Sequence, residues 1–196
     1  TPGSPDSRVC AATSAKWRAS DMKHIFVFDE NKCSACSACM MGCLDQNDTD
    51  IEAGDLCFRQ TFDTEVPLAD GSTYFAYLST ACMHCVDAPC ILACPVGCIS
   101  KDPETGFTVY DNTNCIGCRS CAMACPFGAP RYRKSDGKME KCDGCNERVK
   151  AGLKPACVRA CSFSALDCVT EEEYIASGSN KACNVLIDKL NLRKKR

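Results

Sequence analysis

Residues 114–130 read NCIGCRSCAMACPFGAP. Cys115, Cys118, Cys121 and Cys125 fall within eleven residues at C-x2-C-x2-C-x3-C spacing, and Pro126 follows the last. Four thiolates suffice for one tetrahedral metal site, yet this spacing argues against a closed site. The first three cysteines lie on a loop short enough to curl round one face of a metal cluster, each taking a different corner. The x3 step predicts a short helix that carries the fourth cysteine away from the loop. Proline directly after it lacks an N–H and disfavours helical backbone in the residue before it, which limits the helix. Cys125 is therefore expected to face a second centre, so that the stretch is half of a pair.

The same plan recurs along the chain. Motif one is CSACSACMMGC, with Cys33, Cys36, Cys39 and Cys43. Motif two is CMHCVDAPCILACP, with Cys82, Cys85, Cys90 and Cys94. Motif three is the stretch above. Motif four is CDGCNERVKAGLKPACVRAC, with Cys142, Cys145, Cys157 and Cys161. Each opens with C-x2-C and closes with C-x3-C. Cys10, Cys57, Cys98, Cys168 and Cys183 stand outside the plan.

This repetition argues against accidental thiols. It disfavours disulfides too, because three cysteines within seven residues would compete for partners. Zinc sites take paired C-x2-C knuckles or mixed Cys/His sets. The chain has two histidines, His24 and His84, which leaves little for mixed sites. C-x2-C-x2-C-x3-C-P is the run that holds 4Fe–4S clusters in bacterial ferredoxins, where the fourth cysteine ligates the other cluster of a pair. Iron is the metal expected.

Spacing alone leaves two pairings open. Motifs can pair in sequence, one with two and three with four, or nest, two with three inside one with four. Cys94 and Cys125 are followed by Pro95 and Pro126, whereas Cys43 and Cys161 are followed by Leu44 and Ser162. The two proline-bearing motifs are also adjacent in the chain. Both features favour nesting.

The composition agrees with a metal-filled interior. The chain of 196 residues holds 21 cysteines, and without them the hydrophobic share drops from 45% to roughly a third. That is thin for an aliphatic core, so metal binding and folding are expected to be coupled. Formal net charge is −2, falling to about −10 with four clusters and their thiolates in place. Nothing points to a nucleic-acid partner. No apolar run is long enough for a transmembrane segment. The start, TPGSPDSRVCAATSAKWRAS, has no apolar core and reads as a flexible extension rather than a signal peptide.

Between motifs, apolar alternation predicts short strands in HIFVFD, FRQTFDTEV, TYFAYLS, GFTVYD, PRYRK and ALDCV. TEEEYIAS is the best helix, with Thr170 and Glu173 as a capping box. The fold class is α+β, with short strands and helices around the clusters. His84 is expected to pack or hydrogen-bond rather than ligate. Small residues beside the ligands, Ser34, Ala35, Gly117 and Gly144, let backbone N–H groups approach sulfur. Lys32, Arg119, Arg131, Arg133 and Lys141 are candidates to offset cluster charge or simply solvated side chains. Cys98 is expected to be a small buried hydrophobe near a cluster.

ACMHCVDAPCILACPVG, NCIGCRSCAMACPFGAPRY and KCDGCNERVKAGLKPACVRAC closely resemble the electron-transfer subunit of the dimethyl sulfoxide reductase family of molybdopterin oxidoreductases. The resemblance runs from about Ile25 to Thr170. FVFDENKCSACSACMMGC is also similar to the small subunit of pyrogallol transhydroxylase- and catechol dehydroxylase-type enzymes. The resemblance implies two nested ferredoxin-like modules holding four 4Fe–4S clusters. Centre A would take Cys33, Cys36, Cys39 and Cys161. Centre B would take Cys142, Cys145, Cys157 and Cys43. Centre C would take Cys82, Cys85, Cys90 and Cys125, and centre D Cys115, Cys118, Cys121 and Cys94. Some relatives lose one ligand in the third motif, but this chain keeps Cys118. Ser162 departs from the proline that relatives often carry there, without touching a ligand.

The implied organisation is an N-terminal extension (1–20), an outer module (21–80 and 130–175), an inner module (81–129) and a C-terminal tail (176–196). The implied function is a one-electron relay, without catalysis of its own, to a molybdopterin-containing catalytic subunit, fed by a membrane anchor subunit or a soluble donor. A free-standing polyferredoxin is the alternative. A radical enzyme using S-adenosylmethionine is disfavoured, because no C-x3-C-x2-C triplet is present. Location is expected to be cytoplasmic, or exported through a signal-bearing partner.

Overall fold

The structure is a computed structural model and describes residues 24–177. The N-terminal extension, nearly all of the C-terminal tail, Cys10 and Cys183 lie outside the described residues.

The described chain is a small α+β structure of four two-stranded antiparallel ladders and six short helices. β1 (His24–Phe28) pairs with β8 (Leu166–Thr170), so that His24 faces Thr170 and Phe28 faces Leu166. The two ends of the described chain thus close on each other. Inside that closure lie the hairpins β2 (Gln60–Pro67) with β3 (Thr73–Thr80), β4 (Ile99–Lys101) with β5 (Thr108–Tyr110), and β6 (Arg131–Tyr132) with β7 (Met139–Glu140). Each hairpin spans the gap between two consecutive cysteine motifs. All six strand expectations hold a strand. β4 and β7 were not expected, since three and two residues are too few to show alternation.

Five helices belong to the motifs. α1 (Ala38–Gln46), α2 (Pro89–Leu92), α3 (Ser120–Ala124) and α5 (Ala156–Arg159) each hold the third cysteine of a motif. α4 (Asn146–Lys150) fills the long gap of motif four. Cys94, Cys125 and Cys161 fall just past the ends of α2, α3 and α5; prolines follow the first two, but Ser162 follows Cys161. α1 instead runs on past Cys43. α6 (Glu171–Ala176) opens with the expected capping box: Thr170 N–H donates to Glu173 Oε2 at 2.9 Å, and Glu173 N–H donates to Thr170 Oγ1 at 3.2 Å.

Helices this short are marginal alone and depend on packing. α1 packs on α5 and α2 on α3. The first contact needs glycine, since a Cβ at Gly42 would stand 2.9 Å from Ala160 Cβ. Buried apolar groups form three small clusters, and each includes cysteines. Among the described residues no helix is long and apolar enough to cross a membrane.

Candidate metal centres

All four motifs repeat one backbone feature. The residue just before the second cysteine is left-handed in each: Ala35 (φ 51), His84 (φ 46), Gly117 (φ 66) and Gly144 (φ 79). This turn curls the chain so that the two cysteines face the same space. Glycine adopts it without strain, whereas Ala35 and His84 carry a cost of about 1 kcal/mol each. Gly144 is required for a second reason. A Cβ there would lie 2.5 Å from Cδ2 of Phe107, which is fully buried.

A second repeat follows the fourth cysteine. Gly97 (φ 67), Gly128 (φ 58) and Ser164 (φ 51) are each left-handed three residues after Cys94, Cys125 and Cys161. In the first two, the next N–H turns back onto the sulfur: Cys98 N donates to Cys94 Sγ at 3.2 Å, and Ala129 N to Cys125 Sγ at 3.4 Å. α1 continues past Cys43, and a side chain takes over, with Asn47 Nδ2 3.6 Å from Cys43 Sγ.

The cysteines gather across motifs. Cys33, Cys36 and Cys39 line one cavity together with Cys161. Cys82, Cys85 and Cys90 line another together with Cys125. Each has a cavity volume of about 20 Å³, room for about one water. Cys43 stands near Cys142, Cys145 and Cys157, where its negative charge adds to the rise in their pKa values. Cys94 acts in the same way on Cys121, and Cys94 and Cys115 pack against the buried cluster that holds Cys98. Cys118 is exposed on the loop that joins Cys115 to Cys121.

The donors fit an iron–sulfur cluster. Every described cysteine is a free thiol. Among the described residues no three His, Cys, Asp or Glu side chains converge closely enough for a single metal ion. The thiols instead stand around open space, and a polynuclear cluster holds its ligands further apart than one ion does. Burial pushes Cys39, Cys90, Cys142 and Cys157 above the ordinary thiol range, and Cys145 up to about 11. Bound metal reverses that tendency by deprotonating coordinating thiols.

Donors also aim at the sulfurs. Gly144 N lies 3.4 Å from Cys142 Sγ and Met139 N 3.3 Å from Cys115 Sγ. Tyr132 Oη is 3.1 Å from Cys121 Sγ, and Ser79 Oγ is 3.3 Å from Cys39 Sγ. His84 is buried, bonded and stacked, as expected of a packing residue.

Of the five cations anticipated beside the clusters, Lys141 alone is fully buried. Its Nζ donates to the carbonyls of Thr108 and Cys142, and it lines the cavity of Cys82. Lys32 pairs with Asp29, Arg133 with Asp136 and Glu140, and Arg131 bonds Gln60. Arg119 lies over the ring of Tyr132. Sequence reasoning missed Arg59, which is 4% exposed. It also missed the place of Cys57, buried against Cys43 with its thiol 3.5 Å from Met40 O. Cys98 is buried beside Ile99, in agreement with its reading as a small hydrophobe. Cys168 joins the cluster of Cys39 and Leu166, where burial pushes its thiol up to about 12.

Thiols of different motifs lining two shared cavities, with N–H and O–H donors turned toward sulfur, are the ligand set of an iron–sulfur protein. Residues 73–171 match the 4Fe-4S dicluster domain family, and the protein belongs to the iron–sulfur electron-transfer subunits that carry this domain. It is 41% identical over 150 residues to the B subunit of the anaerobic dimethyl sulfoxide reductase of Haemophilus influenzae, covering 72% of this protein and 71% of the relative. Identity to the B subunit of the same reductase from Escherichia coli K12 is 40% over 149 residues, with the same coverage. The thiosulfate reductase electron transfer subunit PhsB of Salmonella typhi is 33% identical over 145 residues, 74% of each protein.

Proposed function

We propose that the chain carries four 4Fe–4S clusters and relays single electrons between a redox partner and a molybdopterin-containing catalytic subunit of an anaerobic oxidoreductase. The observation that carries this reading is the composition of the two cavities. Each joins three cysteines of one motif to the last cysteine of another, Cys161 with motif one and Cys125 with motif two. The packing of α1 on α5 and of α2 on α3 supports the same nesting, as does the pairing of β1 with β8. Centres A and B then belong to the outer module (21–80 and 130–175), and C and D to the inner module (81–129). Cys82 lies close enough to Cys142 for its charge to act there, which supports a path in the order A, B, C, D.

A bound 4Fe–4S cluster supplies one-electron redox chemistry. The chain holds the thiolates and aims donors at sulfur. Ser79, Tyr132 and the N–H groups of Gly144, Met139, Cys98 and Ala129 stabilise negative charge at sulfur and so favour the reduced state. The names of the relatives, subunits of dimethyl sulfoxide and thiosulfate reductases, support a separate catalytic partner. A membrane anchor subunit or a soluble donor would supply the electrons.

Anaerobic purification from the native host tests the proposal. About sixteen irons per chain, together with a molybdenum-bearing partner, is the expected result. Zinc in place of iron would overturn the cluster reading. A chain that leaves its partner at micromolar dilution would favour a free polyferredoxin.

A further inference from the structure

Arg59 lies just before β2, and its side chain turns inward. Nη1 donates to Ser79 Oγ at 3.0 Å, and that hydroxyl lies 3.3 Å from Cys39 Sγ. The guanidinium stands over the ring of Phe26, 5.9 Å from its centroid. Nε is buried without a hydrogen-bond partner. No carboxylate pairs with Arg59 among the described residues.

A buried guanidinium without a counter-charge is strongly disfavoured. The groups that face it are thiols. The guanidinium reaches Cys39 through Ser79 and makes a side-chain contact with Cys157, and the Arg59 backbone N–H turns to Cys43 and Cys57. Cys39 belongs to centre A, and Cys43, Cys142 and Cys157 belong to centre B. No other described side chain joins these features: buried, cationic and turned to cysteines of both outer centres.

We propose that Arg59 is the counter-cation shared by centres A and B, and that it raises the reduction potential of both. The inference rests on the four-cluster reading above. An added electron makes a cluster more negative, so a fixed cation beside it favours the reduced form. The low dielectric of the interior strengthens that attraction. Arginine suits the place because its charge is permanent and its planar fork is held by Ser79. The nearest centre of the inner module meets a different buried cation, Lys141.

The test uses the native complex, purified anaerobically with wild-type Arg59, Arg59→Gln or Arg59→Lys. Each is read by iron count and by redox titration of its paramagnetic signals. Loaded Arg59→Gln is expected to show two signals whose one-electron reduction constant falls about tenfold or more, equivalent to about 59 mV or more. The other two signals stay in place, and Arg59→Lys recovers most of the shift. Unmoved potentials in loaded Arg59→Gln, or equal shifts in all four, would overturn the proposal. Should Arg59→Gln fail to load, Arg59→Lys decides. Loading with wild-type potentials upholds the need for charge, and failure of both variants overturns it in favour of packing. Wild-type protein without iron would overturn the cluster reading and this inference together, which the iron count distinguishes from failure of the Arg59 role alone.

Discussion

His84 Nε2 and Cys142 Sγ stand 3.6 Å apart, although 58 positions separate the two residues in sequence. The tautomer follows from the other ring nitrogen. Thr108 N–H donates to Nδ1 at 3.1 Å, so a neutral ring carries its proton on Nε2, toward the sulfur. Burial, and then the charges of Lys141, Lys101 and Arg59, hold the pKa of His84 well below the usual histidine range. A residue of motif two thereby touches a sulfur of motif four. Its ring is fixed between Phe26, at 5.7 Å, and Phe107, at 4.8 Å.

His84→Phe retains the ring stack and removes the donor. One cluster signal, that of the centre holding Cys142, is expected to shift to lower potential, with iron content unchanged. Thr108 N–H loses its acceptor, which costs about 1–3 kcal/mol of stability. Redox titration and denaturant unfolding under anaerobic conditions read the two effects. A potential equal to wild type would remove His84 from the tuning of that centre.

Shared cavities make a pattern of losses. Cys33→Ala and Cys161→Ala are expected to abolish the same paramagnetic signal, and Cys43→Ala a different one. Each loss removes about four irons per chain. Cys125→Ala should silence the centre of Cys82, Cys85 and Cys90 while leaving that of motif one. If Cys161→Ala instead removes the signal lost in Cys115→Ala, the motifs are paired in sequence.

Gly144 and Gly97 offer a matched pair. Both are left-handed, but a Cβ at Gly144 meets the Phe107 ring at 2.5 Å, and at Gly97 it meets nothing within 4 Å. Gly97→Ala is expected to cost about 1 kcal/mol, the backbone share alone. Gly144→Ala adds an overpacking cost of about 1–3 kcal/mol. Thermal or denaturant unfolding of the loaded protein reads the difference.

Asp102 anchors the β4–β5 turn to α4. Its carboxylate meets Lys150 Nζ at 2.7 Å, Asn146 Nδ2 at 3.0 Å and the N–H groups of Glu104 and Thr105 at 2.9 and 3.0 Å. Burial alone would raise its pKa, but these partners outweigh burial and hold it well below the usual carboxylate range. A folded-state pKa below the unfolded one stabilises the fold above the unfolded value of about 3.9, and the effect fades as pH falls further. Asp102→Asn is expected to lose about 1–3 kcal/mol at neutral pH. Its deficit against wild type should be constant from pH 7 to pH 5 and shrink below about pH 4. A deficit that does not change with pH would assign the loss to shape rather than charge.

Much of this protein was legible in its amino-acid order because its chemistry is local. Three cysteines at x2 spacing can share a face only if the chain curls, and the x3 step with Pro95 or Pro126 marks where a helix must stop. Such signals span a few residues and survive without knowledge of the rest. The same holds for Thr170 with Glu173, a cap closed within one turn. The left-handed turn before each second cysteine was half legible: Gly117 and Gly144 announce it, while Ala35 and His84 conceal it.

What lay beyond the sequence depends on distance in the chain. Spacing places Cys125 and Cys161 away from their own loops but does not say where they arrive, because a one-dimensional pattern carries no crossing information. The cavities that join them to Cys82 and Cys33 arise only when β1 meets β8 and the helices pack. Arg59 shows the limit most clearly. In CFRQTF it reads as a polar residue of a half-exposed strand, and nothing beside it in sequence explains its burial. Its neighbours are Ser79, Phe26 and the sulfurs of motifs one and four, which only folding brings together. An arginine's place, inside or out, is set by the charges it meets, and those charges come from every part of the chain.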